Sequence, residues 1–239
     1  LILLPLASWV LQRSSGLWSH WRRFALLSLL GVGCYNALQY LALQTSTPLN
    51  VTLVAASGPV WMLAIGALFF QAPVRRAQVY GATLSILGVL VVMSRGDWAQ
   101  LMAVRLVAGD LFVLLAVACW SWYSWLLSRR DEPDAIRNDW AAFLLAQVVF
   151  GLVWSGLFAG LEWTLTDAHI TWGWPLISAL AFVAVGPAVL AYRCWGIGVQ
   201  QAGPAVAGFL PTSHPCLRPS SRLHFWVSCP TCITWLRSR

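Results

Sequence analysis

Apolar residues run nearly unbroken over 24–43, 48–70, 78–94, 108–127, 140–161 and 174–197, with short polar breaks between them. Each run is close to the ~20 residues that carry a helix across about 30 Å of hydrocarbon. Within hydrocarbon every backbone polar group needs a partner, and a helix supplies one inside the segment itself. The runs are apolar on all sides rather than along one stripe, which fits helices surrounded by lipid and other helices. Residues 1–11 read as the end of one further helix. The pattern therefore predicts an all-α, polytopic transmembrane helical bundle with about seven to eight helices.

Composition sharpens this. The chain is 59% hydrophobic and 10% charged, against about half and about a quarter in soluble domains. That excludes a disordered chain, a coiled coil and an ordinary soluble enzyme. The net charge is +7, and all 15 basic residues are arginine. These arginines sit at the ends of apolar runs rather than along a stripe with interleaved aromatics, so they read as topology signals and not as a nucleic-acid surface. Arg13, Arg22, Arg23, Arg75, Arg76, Arg129, Arg130 and Arg137 fall in one set of alternate breaks; the other set holds only Arg95 and Arg105. The positive-inside rule places the first set in the cytoplasm. Trp18, Trp21, Trp98, Trp163, Trp172 and Trp174 flank runs and read as interfacial anchors.

Residues 210–239 are different: rich in Pro, Ser, Arg, His and Cys, without a period. Cys229-Pro-Thr-Cys232 has the spacing of half a zinc or redox site but lacks a second pair. Codon arithmetic offers another account. Joining the third base of each codon to the next two turns nearly all of 211–226 into small or apolar residues. Trp226 before Val227 then forces a glycine, because tryptophan has a single codon. The expectation is a frameshift near Phe209–Leu210 that leaves an aberrant, disordered tail. With a first residue, Leu1, inside an apolar run, the N-terminus reads as incomplete. On this reading the copy is truncated and inactive. The remaining cysteines, Cys34, Cys119 and Cys194, lie inside runs, where a thiol acts as a small hydrophobe.

Polar residues inside the runs carry the candidate chemistry, because such groups are costly in a membrane and usually face the bundle interior. Asn36, Gln39 and Tyr40 fall at i, i+3 and i+4; Asn50, Ser57 and Trp61 form a looser stripe, with Pro59 after Gly58 as a kink. Trp120, Tyr123 and Ser124 form a third, and Tyr192, Arg193 and Trp195 crowd the end of the last run. One reading is a polar and aromatic cavity for a small solute; the other is interhelical hydrogen bonding. Arg193 either meets an anion or snorkels to headgroups. Asp110 reads as a helix cap at the outer surface. Asp131, Glu132 and Asp134 read as a solvated loop, and two small-residue stripes, Gly81/Ser85/Gly88 and Gly156/Gly160, as helix-packing faces. Catalytic motifs such as HExxH, GxSxG or a Walker loop are absent from the sequence. No enzyme activity, cofactor or metal is expected.

Asn36-Ala-Leu-Gln39-Tyr40-Leu-Ala-Leu-Gln44, Asn50 and Gly58-Pro59 resemble, in that order, the EamA-type branch of the drug/metabolite transporter superfamily. So do Gly81 through Gly88-Val-Leu-Val-Val with Arg95-Gly-Asp97, Gly109-Asp110-Leu with Trp120 and Tyr123, and Ala191-Tyr192 with Trp195. The resemblance implies about ten helices in two inverted five-helix repeats with both termini cytoplasmic. It divides the chain into 1–94, a first repeat lacking its first helix; 95–209, a truncated second repeat; and the tail 210–239. It implies a multi-pass protein of the bacterial inner membrane that exports or imports small metabolites or drugs by alternating access. Its partners would be the lipid bilayer, an unidentified small solute, a coupling proton or other ion, and a second copy in a homodimer, with no nucleic acid. The residues proposed to line the cavity are Asn36, Gln39, Tyr40, Asn50, Trp61, Trp120, Tyr123, Tyr192 and Arg193. The alternatives are a membrane structural or assembly protein without a cavity, and an intramembrane enzyme.

Overall fold

The computed structural model describes residues 3–94, 107–129, 131–165 and 172–208. Every regular element among the described residues is helical. α1 (Trp21–Thr45) and α2 (Asn50–Phe70) are long and apolar enough to cross a membrane. α3 (Arg76–Ser94) is apolar over the shorter stretch Arg76–Val91. α4 (Ala108–Ser128), α5 (Trp140–Leu165) and α6 (Trp174–Ala202) complete the set of spans. The chain is thus an all-α, multi-pass membrane bundle, as its apolar pattern predicts. Residues 4–11 form two short helical turns, Leu4–Ala7 and Ser8–Leu11, whose Ala7 and Val10 are buried in the main core.

α4 is the central helix. α1 and α2 pack along it, α6 touches it through its last part, and α5 covers the first half of α1. Two apolar helices gain little from the hydrophobic effect in lipid, so close approach and hydrogen bonds hold such contacts. Gly109 shows the first device. A Cβ there would lie 2.5 Å from Thr45 Oγ1 and 2.7 Å from the backbone carbonyl oxygen of Ala42, so any larger residue would push α4 off α1. Trp125 shows the second: its indole N–H donates to the Met62 carbonyl at 2.8 Å, tying α4 to α2. The small-residue stripes read from the sequence do not act this way. A Cβ on Gly88, Gly156 or Gly160 would meet nothing within 4 Å. Their spacing permits close approach, but at these three positions no neighbouring atom comes within 4 Å.

The two ends of the bundle differ in chemistry. At one end, Glu132 accepts from Arg23 at 3.0 Å and from Arg137 at 2.8 Å, and Arg129 lies over the Phe70 ring at 4.8 Å. This joins the start of α1 and the ends of α2 and α4 at one level, as alternating helix directions require. Glu132 is buried, so the acidic loop is not simply solvated: two arginines draw its middle carboxylate inward while Asp131 stays outside at 3.8 Å from Arg23. At the opposite end Asp110 is only 3% exposed. It accepts from the Val107 backbone N–H at 2.8 Å, from the Ser46 hydroxyl and from the Asn50 amide at 3.3 Å. It caps α4 from inside the first turn and clasps the α1–α2 connection, rather than capping at the surface. Trp18, Trp21, Trp163, Trp172 and Trp174 are exposed near element ends, as anchors would be. Trp98, Arg95, Arg105, Arg130 and residues 210–239 lie outside the described residues.

α1 and α6 share one construction. Each contains a six-residue widened π-type segment, Leu29–Cys34 or Gly186–Ala191, followed by an eleven-residue α-helix, Tyr35–Thr45 or Tyr192–Ala202. The same spacing in residue number separates Leu29 from Gly186, Cys34 from Ala191 and Thr45 from Ala202. A π turn holds an extra residue and leaves carbonyls less well satisfied by the helix itself.

Candidate functional site

The widened turns position an aromatic cluster. Trp120 of α4 stands at its centre. Its ring centroid lies 4.7 Å from Tyr35, 5.2 Å from Tyr123, 5.3 Å from Trp195 and 5.5 Å from Tyr192, the last edge to face at 87°. Tilted and T-shaped pairs at such distances add to packing beyond area alone. Hydrogen bonds fix the rings. The Trp195 indole N–H donates to Ser124 Oγ at 3.1 Å, and that hydroxyl donates to the Trp120 carbonyl at 2.8 Å. The Tyr192 hydroxyl donates to the carbonyl of Gly31, inside the widened turn of α1. Gly31 is required for another reason: a Cβ there would lie 2.7 Å from the Tyr123 ring.

Two cavities lie on either side of this cluster. One, of about 170 Å³, is lined by Tyr35, Gln39, Pro59, Trp120, Ser121 and Trp195, among others. The buried Ser121 hydroxyl has no hydrogen-bond partner. The other, of about 240 Å³, opens between α4, α5 and α6 at the arginine-rich end; Tyr123, Arg137, Trp140, Gln147, Tyr192 and Arg193 line it. Trp120 and Trp195 face the first cavity, and Tyr123 and Tyr192 the second, so the cluster is the partition between them. Arg193 lies over the Trp140 ring at 4.2 Å. Among the described residues, no group of three or more His, Cys, Asp or Glu is arranged to hold a metal ion.

Five of the residues singled out in the sequence come together here: Gln39 and Trp120 on the first cavity, Tyr123, Tyr192 and Arg193 on the second. Four do not line either one. Asn36 donates to the Val32 carbonyl one turn back at 2.8 Å. Tyr40 is 64% exposed, because a helix turns about 100° per residue and Gln39 takes the inward direction. Asn50 belongs to the Asp110 clasp, and Trp61 packs beside Ala42, Val113 and Val117. The sequence reading missed Tyr35 and Gln147. Gln147 carried a usable signal: an amide in the middle of an apolar run.

The chain is thus a helical membrane bundle with an internal aromatic cluster and a cavity on each side of it. Comparison with known proteins sharpens that class. Residues 1–94 match the sequence model of the EamA-like transporter family. The chain is 25% identical over 181 residues to an uncharacterized transporter, YyaM, of Bacillus subtilis, covering 75% of this chain and 57% of that protein. It is 25% identical over 206 residues to an uncharacterized transporter of Archaeoglobus fulgidus, covering 82% and 66%. It is 25% identical over 189 residues to the aromatic amino acid exporter YddG of Ancylobacter novellus, covering 78% and 62%. The chain thus spans less than two thirds of the length of each of these relatives. No solved structure matches it. These findings make the chain similar to EamA-like transporters, with the family match carried by residues 1–94.

Proposed function

We propose that this chain is a truncated, inactive copy of a secondary transporter that moves small metabolites or drugs across the bacterial inner membrane by alternating access, driven by an ion or solute gradient. The observation that carries this reading is the aromatic partition. Trp120, Tyr123, Tyr192 and Trp195 separate a cavity inside the bundle from one at its arginine-rich end. A carrier needs such a barrier, able to close one path while the other opens. The shared construction of α1 and α6 supports two repeats, 1–94 and 95–209, of opposite orientation. The loop arginines support a cytoplasmic position for the second cavity. The name of the Ancylobacter relative makes aromatic amino acids the first solutes to assay.

The test is solute flux in inverted membrane vesicles, comparing the chain as written with one whose codons from 210 onward are restored to the shifted frame. Flux is expected from the restored chain alone. In that chain Trp120→Ala and Gln39→Leu are expected to reduce transport or apparent affinity about tenfold, the value of roughly 1.4 kcal/mol of lost contact. Unchanged transport in both variants removes the cavity assignment. A purely structural membrane protein, the second reading, gives no flux in any form.

A further inference from the structure

The cavity at the arginine-rich end has two groups whose needs the protein leaves unmet. The first is a charge. Glu132 is shared between Arg23 and Arg137, and Asp131 stands 3.8 Å from Arg23, so those two cations face two carboxylates. Arg193, on α6, has no carboxylate within 4.0 Å among the described residues. It is partly buried, and the Trp140 ring holds its guanidinium at 4.2 Å. A partly desolvated guanidinium stacked on an aromatic ring is oriented for a planar anion and makes strong, charge-assisted hydrogen bonds to it. The second is an acceptor. Gln147, on α5, is 2% exposed; its side-chain amide interacts with the Tyr123 hydroxyl, and its carbonyl oxygen is left without a hydrogen-bond partner. A buried acceptor left unpaired costs about 1–3 kcal/mol, a cost that a ligand N–H or O–H would remove. Both groups line one space of about 240 Å³, with Tyr123, Trp140, Phe143 and Tyr192 as aromatic wall. That is the volume of about eight waters at about 30 Å³ each.

We propose that this cavity is a recognition site for a small organic acid that also carries a hydrogen-bond donor: Arg193 pairs with the anionic group, Gln147 accepts from the donor, and the rings contact an apolar body. The proposal rests on the transport reading only in calling that acid a cargo.

The test is equilibrium dialysis of the purified chain in lipid nanodiscs with three probes of one shape. Mandelate has the carboxylate, the hydroxyl and the ring; phenylacetate lacks the hydroxyl; 1-phenylethane-1,2-diol lacks the charge. Mandelate is expected to bind most tightly, about tenfold better than the diol. Arg193→Gln is expected to bring mandelate down to the diol and leave the diol unchanged, with Arg193→Lys recovering part of the difference. Gln147→Leu is expected to bring mandelate down to phenylacetate and leave phenylacetate unchanged. Equal binding of mandelate and diol to the native chain overturns the proposal. So does equal weakening of all three probes by Arg193→Gln, the result for an arginine that only snorkels to headgroups, and so does the absence of saturable binding by any probe. The transport reading fails separately: selective binding without flux of mandelate by the frame-restored chain removes it and leaves the site, whereas flux with unselective binding removes the site alone.

Discussion

Tyr192 joins two helices through a single oxygen. Its hydroxyl reaches the Gly31 carbonyl, while its ring stays against Trp120. Tyr192→Phe therefore isolates the hydrogen bond. It is expected to cost about 1 kcal/mol, read as a lower melting temperature in detergent, with the ring contacts kept. Gly31→Ala acts on the same spot from the other side. With the Tyr123 ring 2.7 Å from the new methyl, overpacking of about 1–3 kcal/mol is expected, and Tyr123→Leu in the same chain should recover part of it. Little of this was legible in the sequence. Trp120, Tyr123, Tyr192 and Arg193 stand out as aromatic or charged groups in apolar runs. The partners of Asn50 and Tyr192 do not, because they lie on other helices, 60 and 161 positions away. Nothing in local spacing records such a meeting.

At the level of elements, the buried Arg23–Glu132–Arg137 cluster ties α1 to the connection between α4 and α5. Removing the shared carboxylate leaves the nearly buried Arg137 guanidinium without a counter-ion and Arg23 with only the exposed Asp131 at 3.8 Å. Glu132→Gln is expected to cost about 3 kcal/mol, against a negligible change for the exposed Asp131→Asn; thermal unfolding of both variants checks this. The apolar runs located the helices well, since hydrophobicity near the length of a bilayer is a strong one-dimensional signal. They could not rank the loop acids. Asp131, Glu132 and Asp134 look alike in sequence, and what separates the middle one is its pair of close partners, Arg23 from α1 and Arg137. The Gly156/Gly160 stripe stands unused for a related reason: it offers a smooth face, but a face needs a neighbour before it becomes a contact.

For the whole molecule, the arginine-rich end gathers the start of α1 and the ends of α2 and α4, while Asp110, Ser46 and Asn50 mark the other. The positive-inside rule predicts that the first end is cytoplasmic. In a cysteine-free background, Trp172→Cys is expected to react with a membrane-impermeant maleimide in intact cells, and Pro73→Cys only after permeabilisation; the reverse order overturns the orientation.

The widened turns of α1 and α6 have a consequence for insertions and deletions. A π turn is an α-helix carrying one surplus residue, so losing a residue there restores regular winding and keeps both flanking faces in place. Deleting Val189, within Gly186–Ala191, should leave Tyr192 and Arg193 facing their cavity. Deleting Ile197, in the regular helix beyond, should turn everything after it by about 100° and carry the buried Gly198 and Val199 out of the core. Single-residue gaps in these two helices are therefore expected to be tolerated at Leu29–Cys34 and Gly186–Ala191, and to abolish folding a turn or two downstream.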